Sequence, residues 1–195
     1  EEGYVVVQLP LPPGTLLDLW QESQRFKADY LNKFPGYYFS GDGGYIDEDG
    51  FVYITGRVDD VINVAGHRLS TAEMEEIVAS HHSVAECAVI GVNDELKGQA
   101  PLALVVTKSG ETIEHFQLEQ EIVQLVRQQI GAVASMRNVV MVNRLPKTRS
   151  GKILRKLLRS IADGAVFQVP STIDDETIID EIKESLEKYA MGKAK

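Results

Sequence analysis

Ala85-Glu86-Cys87-Ala88-Val89-Ile90 is the stretch on which the fold turns. It is a short apolar run of small and branched side chains, and it reads as the middle of a strand over 84–92. A second strand follows over 100–107, and then a long helix from about 114 to 130 with Leu118, Ile122, Leu125 and Val126 at helical spacing. Val139–Val142 makes another strand, and Ile153, Leu154, Leu157, Leu158 and Ile161 give a helix over 151–163 an apolar face. Upstream, Val61–Val64 and His67–Leu69 read as a short hairpin. Thr71 reads as the cap of a helix over 72–81 that places Met74, Ile77, Val78 and His81 on one side. The order βαββαβα gives an α/β (α+β) domain, a mixed or antiparallel sheet flanked by helices.

Further out, residues 4–9 read as a strand closed by Pro10-Leu11-Pro12-Pro13-Gly14. A helix is expected across 22–33, with Phe26, Tyr30 and Leu31 at helical spacing. Tyr37-Tyr38-Phe39-Ser40 and Phe51-Val52-Tyr53-Ile54 flank Asp47-Glu48-Asp49-Gly50, a strong hairpin signal. A second unit begins near Asp60, and the tail beyond 164 is a loop and then an acidic helix over 175–189.

Composition narrows the function classes. The 195 residues carry 29 acidic against 20 basic side chains, a formal charge of −9, which argues against a nucleic-acid-binding face. Local basic groups and backbone amides can still bind an anionic nucleotide. Cys87 is the single cysteine, so no intrachain disulfide is possible, and it suits a small core residue in a reducing compartment. No apolar run approaches the roughly 20 residues needed to cross a bilayer. The chain opens at Glu1-Glu2-Gly3-Tyr4 without an initiator methionine and reads as a piece of a longer polypeptide.

Four positions carry candidate chemistry. Asp42, among Gly41, Gly43 and Gly44, could accept hydrogen bonds from two sugar hydroxyls; it equally suits a turn aspartate bonding its own backbone. Arg57 follows Gly56 at the end of an aromatic strand, and a guanidinium there could bind ribose or phosphate oxygens or simply be a surface charge. Gly66-His67-Arg68 repeats the glycine-turn-plus-arginine theme. Lys152 closes Ser150-Gly151-Lys152, but a phosphate-binding loop would need glycine where Pro146 stands and Ser or Thr where Ile153 stands, so that reading is rejected. Lys152 can instead neutralise charge developing on an attacked phosphate, or be one solvated cation among Lys147, Arg149, Arg155, Lys156 and Arg159. Asp47-Glu48-Asp49-Gly50 lacks the later ligands of a calcium loop, and His81-His82 has no sequence partner at a metal-ligand spacing, so no metal site is expected.

Three segments in one order resemble the acetyl-/propionyl-CoA synthetases of the adenylate-forming superfamily. They are Tyr38-Phe39-Ser40-Gly41-Asp42-Gly43, the run from Ile54-Thr55-Gly56-Arg57-Val58-Asp59-Asp60 through Val64-Ala65-Gly66-His67-Arg68, and Leu145-Pro146-Lys147-Thr148-Arg149-Ser150-Gly151-Lys152. The resemblance implies that a short carboxylic acid and Mg²⁺-ATP give an acyl-adenylate and pyrophosphate, after which coenzyme A displaces AMP. It implies that Asp42 holds the ribose hydroxyls, Arg57 and Arg68 contact ATP or AMP, and Lys152 bridges the carboxylate and the α-phosphate. By the same resemblance Asp59 is a hinge, Ala65-Gly66 line the coenzyme A tunnel and Arg127 meets that coenzyme's phosphate. Residues 1–58 would be the β-rich end of a large domain and 59–195 a small mobile C-terminal domain with the catalytic lysine. The phosphate loop, adenine pocket and acyl pocket would lie upstream, so this piece alone is expected to be inactive. Ala65 and Ser171-Thr172-Ile173-Asp174 resemble the propionyl branch.

Partners expected on this reading are the small substrates, the N-terminal domain of the same protein, and a lysine acetyltransferase and deacetylase acting on exposed Lys152. The compartment expected is the cytoplasm or the mitochondrial matrix. Two alternatives stand beside it: an adenylation unit loading a carrier protein, and a non-catalytic interaction module on the same scaffold.

Overall fold

The computed structural model describes residues 2–136 and 138–190. Contacts divide the chain into two compact units, Glu1–Asp59 and Asp60–Lys195. In the first, β1 (Glu2–Gln8), β2 (Tyr37–Ile46) and β3 (Val52–Arg57) form an antiparallel sheet in the order β1-β2-β3. The hairpin expected at Asp47-Glu48-Asp49-Gly50 is present. Asp47 closes it by accepting the amides of Asp49 and Phe51 on its carboxylate, while the Gly50 amide donates to its carbonyl. A short helix, α1 (Ser23–Phe26), runs on into a π-helical turn, Lys27–Leu31, and stacks Tyr30 flat on Tyr38. Only Phe26 and Phe39 are buried large hydrophobics among the described residues of this unit. Leu17 and Trp20 stand 88% and 89% exposed, and Ile46, Phe51, Val52 and Ile54 are also turned outward.

The second unit contains β4 (Val61–Val64), β5 (His67–Ser70), α2 (Thr71–Ala79), β6 (Val84–Asp94), β7 (Gly98–Thr107) and α3 (His115–Gln129). It continues with β8 (Asn138–Met141), α4 (Arg155–Ala162) and α5 (Ile178–Ala190). β7 is the pivot of its five-stranded sheet. β6 pairs with it antiparallel along one edge; the other edge is shared by β4 at Gly98 and by β8, parallel, at Leu102–Val105.

The apolar runs that marked these strands are buried on both faces. Val89, Ala103, Val105 and Val139 face α2 and α3, packing on Met74, Val78, Leu118 and Ile122. Their neighbours Ala88, Ile90, Leu102, Leu104 and Val140 face α4 and α5, packing on Leu158, Ile182 and Leu186. A strand with helices on both sides has no solvent face, which is why its sequence is continuously apolar rather than alternating. Each fully buried Leu or Ile here contributes roughly 1.5–3 kcal/mol relative to exposure.

Several boundaries differ from expectation: α2 ends at Ala79, leaving His81 beyond it, α5 begins at Ile178 rather than 175, and two shifts bear on the site. The cap of α2 is Ser70, whose hydroxyl accepts the Glu73 amide at 3.4 Å, and Thr71 is the first helical residue. Ser70 and Glu73 have the spacing of a capping box, and that pattern outranks a lone threonine one position on. The helix expected over 151–163 begins at Arg155, because Lys147 and Ile153 are paired across a hairpin first. No helix among the described residues is long and apolar enough to cross a membrane.

Candidate functional site

Asp42 and Arg57 are brought together as a register pair across the β2–β3 hairpin. The Arg57 guanidinium donates to the Ser40 carbonyl at 3.0 Å and approaches the Asp42 carboxylate at 3.5 Å. Both side chains remain partly exposed. Ser40 was not singled out in the sequence, yet it organises the pair. Its hydroxyl donates to the Val5 carbonyl on β1 and accepts the Asp42 amide at 3.1 Å. Gly41 is required twice over. Its φ is +83°, and a Cβ there would lie 2.6 Å from an Arg57 guanidinium nitrogen. An open cavity of about 420 Å³, lined by Tyr30, Lys33, Ser40, Gly41 and Arg57 among others, adjoins this corner.

Ala65 and Gly66 are the two central residues of the β4–β5 turn, with φ of +49° and +89° between the paired residues Val64 and His67. Positive φ at both is the hallmark of the tight turn that matches strand twist. Ala65 is anchored by donating its amide to the Lys97 carbonyl at 2.9 Å. Arg68, exposed, lies on β5 opposite Asn63. Asp59 belongs to the single helical turn Val58–Asp60. Arg127 stands exposed in the last turn of α3, where it lines a cavity of about 300 Å³ with Gly131 and Ser135. Replacing Ala65 by glycine should relieve roughly 1–2 kcal/mol of left-handed strain. Glycine's greater unfolded-state freedom takes back about 0.5–1 kcal/mol. A rise of about 1–3 °C in melting midpoint is expected by calorimetry; a fall would contradict the strain assignment.

Lys152 sits on a tight hairpin. Lys147 pairs with Ile153, the Thr148 amide donates to the Lys152 carbonyl at 2.8 Å, and the Gly151 amide donates to the Thr148 carbonyl at 2.8 Å. The Thr148 hydroxyl accepts the Lys152 amide at 3.1 Å, and Gly151 takes φ of +84°. A turn followed by a left-handed glycine is the standard three-residue hairpin, and it explains Thr-x-x-Gly before the lysine. The Lys152 side chain is exposed and makes no hydrogen bond or ion pair among the described residues, whereas Lys147 is held by Glu86 at 2.7 Å. The expected basic loop is thus a structured backbone carrying one uncommitted ammonium.

The tail is bound to that hairpin. Thr148 pairs with Ile173, the Arg149 amide donates to the Thr172 carbonyl, and the Asp174 amide donates to the Lys147 carbonyl. Arg144 clamps the tail further along, donating to Asp175 at 2.6 Å, to Thr177 at 2.9 Å and to both oxygens of Glu181. Arg144 and Thr177 hold the Asp175 carboxyl down at about 2, and Arg144 also lowers that of Glu181. A depressed carboxyl stabilises the fold above its unfolded value and ceases to do so as pH falls through the folded one. Protection factors of the α5 amides, exchange corrected for its intrinsic pH dependence, are therefore expected to fall between about pH 4 and pH 2, and Asp175→Asn should flatten that dependence.

Other partnerships were invisible in the sequence. Glu121 on α3 reaches His81 at 2.8 Å, and His81 and His82 stack beside it. These three could ligate a cation by composition. However, the Ser83 amide donates to His81 Nδ1, leaving the proton on Nε2 to donate to Glu121. The pair ties the turn after α2 to α3. Cys87 is half-buried, with burial pushing its thiol up to about 12, the profile of an inert core residue. Arg155 at the start of α4 forks onto Glu75 of α2 at 2.6 and 2.8 Å, fixing the downstream end of the Lys152 hairpin.

Residues 73–152 match the AMP-binding enzyme C-terminal domain. Acyl-CoA synthetase short-chain family member 3, mitochondrial, of Pongo abelii is 51% identical over 95% of this chain and 27% of its own length. The acetyl-coenzyme A synthetase of Pyrobaculum arsenaticum is 42% identical over 96% of this chain and 28% of its own. Among solved structures, an anthranilate CoA ligase in complex with anthranoyl-AMP superposes with a TM-score of 0.67 at 29% identity, over 82% of this chain and 30% of that one. The chain therefore spans less than a third of the length of these relatives.

Proposed function

We propose, from the premise that this chain carries an AMP-binding enzyme C-terminal domain homologous to those of short-chain acyl-CoA synthetases, that it is the C-terminal portion of an AMP-forming acid–thiol ligase. The observation that carries the reading is the uncommitted Lys152 ammonium presented on a hydrogen-bonded hairpin at the end of the matched segment. In the first half-reaction a carboxylate oxygen attacks the α-phosphorus of ATP and pyrophosphate leaves. Lys152 neutralises the negative charge shared by the incoming carboxylate and the phosphoryl oxygens. Asp42, paired with Arg57, accepts the ribose hydroxyls, and Arg57 and Arg68 donate to the nucleotide. In the second, the coenzyme A thiol attacks the acyl carbon, AMP departs and the thiol proton is released.

Residues 59–195 swing about Asp59 between the two steps on this reading, and 1–58 stay with the large domain. The Ala65-Gly66 turn then lines the coenzyme A tunnel, with backbone and one methyl group as its only bulk, and Arg127 meets the coenzyme's phosphate. Mg²⁺ enters with ATP, and no residue of this chain is assigned to it. Acetylation of Lys152 would erase the charge that the first step uses, making a lysine acetyltransferase and deacetylase regulatory partners. The test is a carboxylic-acid panel on the full-length protein, measuring exchange of labelled pyrophosphate into ATP and then thioester formation. Acetate or propionate should support both, and exchange with neither would overturn the assignment.

A further inference from the structure

We propose that Arg144 is a positioning residue for Lys152, acting through the C-terminal tail. The inference rests on the reading of Lys152 as the first-step cation and deepens it. Arg144 lies two residues before Pro146, whose carbonyl accepts the Leu154 amide at 2.9 Å where the Lys152 hairpin closes. It touches neither the lysine nor any group assigned to a substrate. Its guanidinium engages Asp175, Thr177 and Glu181, and so spans from the end of the tail segment to the first turns of α5.

That segment makes an isolated antiparallel bridge to the hairpin. Thr172, Ile173 and Asp174 run antiparallel to Lys147, Thr148 and Arg149, with two backbone hydrogen bonds of 3.1 and 2.9 Å, and Ile173 is sunk 4% exposed in the core. The hairpin is thereby held at four points: by its own cross-bonds, by Lys147 on Glu86, by Arg155 on Glu75 downstream, and by the tail. The tail joins the hairpin through Thr148 and Ile173, and Arg144 adds a polar clamp just beyond that point. Without Arg144, Asp175 and Glu181 face each other as uncompensated like charges, and the tail loses its polar clamp just after Asp174, leaving Ile173 and the apolar face of α5 to hold it. A hairpin free to shift by about 1 Å at its tip would misplace the lysine by an amount that costs on the order of 100-fold in rate.

The experiment compares wild type, Arg144→Gln and Lys152→Ala in the full-length enzyme. Carboxylate-dependent pyrophosphate exchange, thioester formation from supplied acyl-adenylate, and amide exchange at Arg149 and Asp174 are measured on each. Arg144→Gln is expected to lower the first reaction roughly 10- to 100-fold, to leave the second within about twofold, and to deprotect those two amides. Equal loss of both reactions would make Arg144 merely structural and overturn the inference. Deprotected amides with undiminished exchange would also overturn it. Exchange surviving in Lys152→Ala would overturn the reading of the site, and this inference with it. If Arg144→Gln fails to fold, Asp175→Asn removes one arm of the clamp and should give the same split at roughly 3- to 10-fold; an even loss, or none, overturns the inference.

Discussion

Replacing Lys152 by alanine in the full-length enzyme is expected to lower carboxylate-dependent exchange of pyrophosphate into ATP by about 100- to 1000-fold, the usual effect of deleting one preorganised charge at a reacting centre. Thioester formation from supplied acyl-adenylate should stay within a few-fold of wild type. The asymmetry follows from the structure and the chemistry together. The hairpin bonds of Thr148 and Gly151 are made by backbone and a hydroxyl, not by the lysine side chain, so truncating it leaves the turn intact. Nothing else among the described residues uses the ammonium, so little stability is lost. On the proposed reading, what disappears is charge neutralisation at the α-phosphate, which the adenylation step alone would require. Equal losses in the two half-reactions would remove Lys152 from this role.

Gly41→Ala should have the second largest effect. The added methyl would lie 2.6–2.9 Å from three guanidinium atoms of Arg57. Because it meets the far end of a flexible side chain, Arg57 moves and the strand survives, with about 1–2 kcal/mol of strain from the positive φ. The displaced guanidinium leaves the Ser40 carbonyl and the Asp42 carboxylate. Charge-assisted hydrogen bonds to a nucleotide are worth about 1.5–3 kcal/mol each, so kcat/KM for ATP should fall roughly 10- to 100-fold. Arg57→Ala should match it, and the double variant should be no worse than the more impaired single one. Full additivity would mean that glycine and arginine act independently.

Much of the architecture was legible because its strands are extreme. A segment such as Ala88–Ile90, buried on both faces, has no polar alternation to blur it, and α3 keeps a strict apolar stripe through Leu118, Ile122 and Val126. The Asp47–Gly50 turn announces itself through a residue that caps its own backbone. Long-range polar pairings do not. Arg144 meets Glu181 across 37 positions, and His81 meets Glu121 across 40, so no local period connects them. The late start of α4 likewise reflects pairings beyond the local period, the hairpin of Lys147 with Ile153 and its bridge to Ile173. At the candidate site the motifs gave Asp42, Arg57 and Lys152. Ser40 and Thr148 escaped notice because a hydroxyl that organises a turn resembles any other surface hydroxyl until its partners are known.

The apolar side chains of the first unit, with Leu17, Trp20, Phe51 and Ile54 turned outward, bear on how the two parts would behave if separated. The second unit buries most of its grease between two helical layers, leaving Leu96, Phe116 and Val166 outward, and ought to survive excision at Asp60 better than the first. The first is a sticky remnant that would precipitate or recruit detergent. Laboratory crystallisation and any natural reshuffling of such modules would accordingly favour a cut at that seam over one inside β2 or β3.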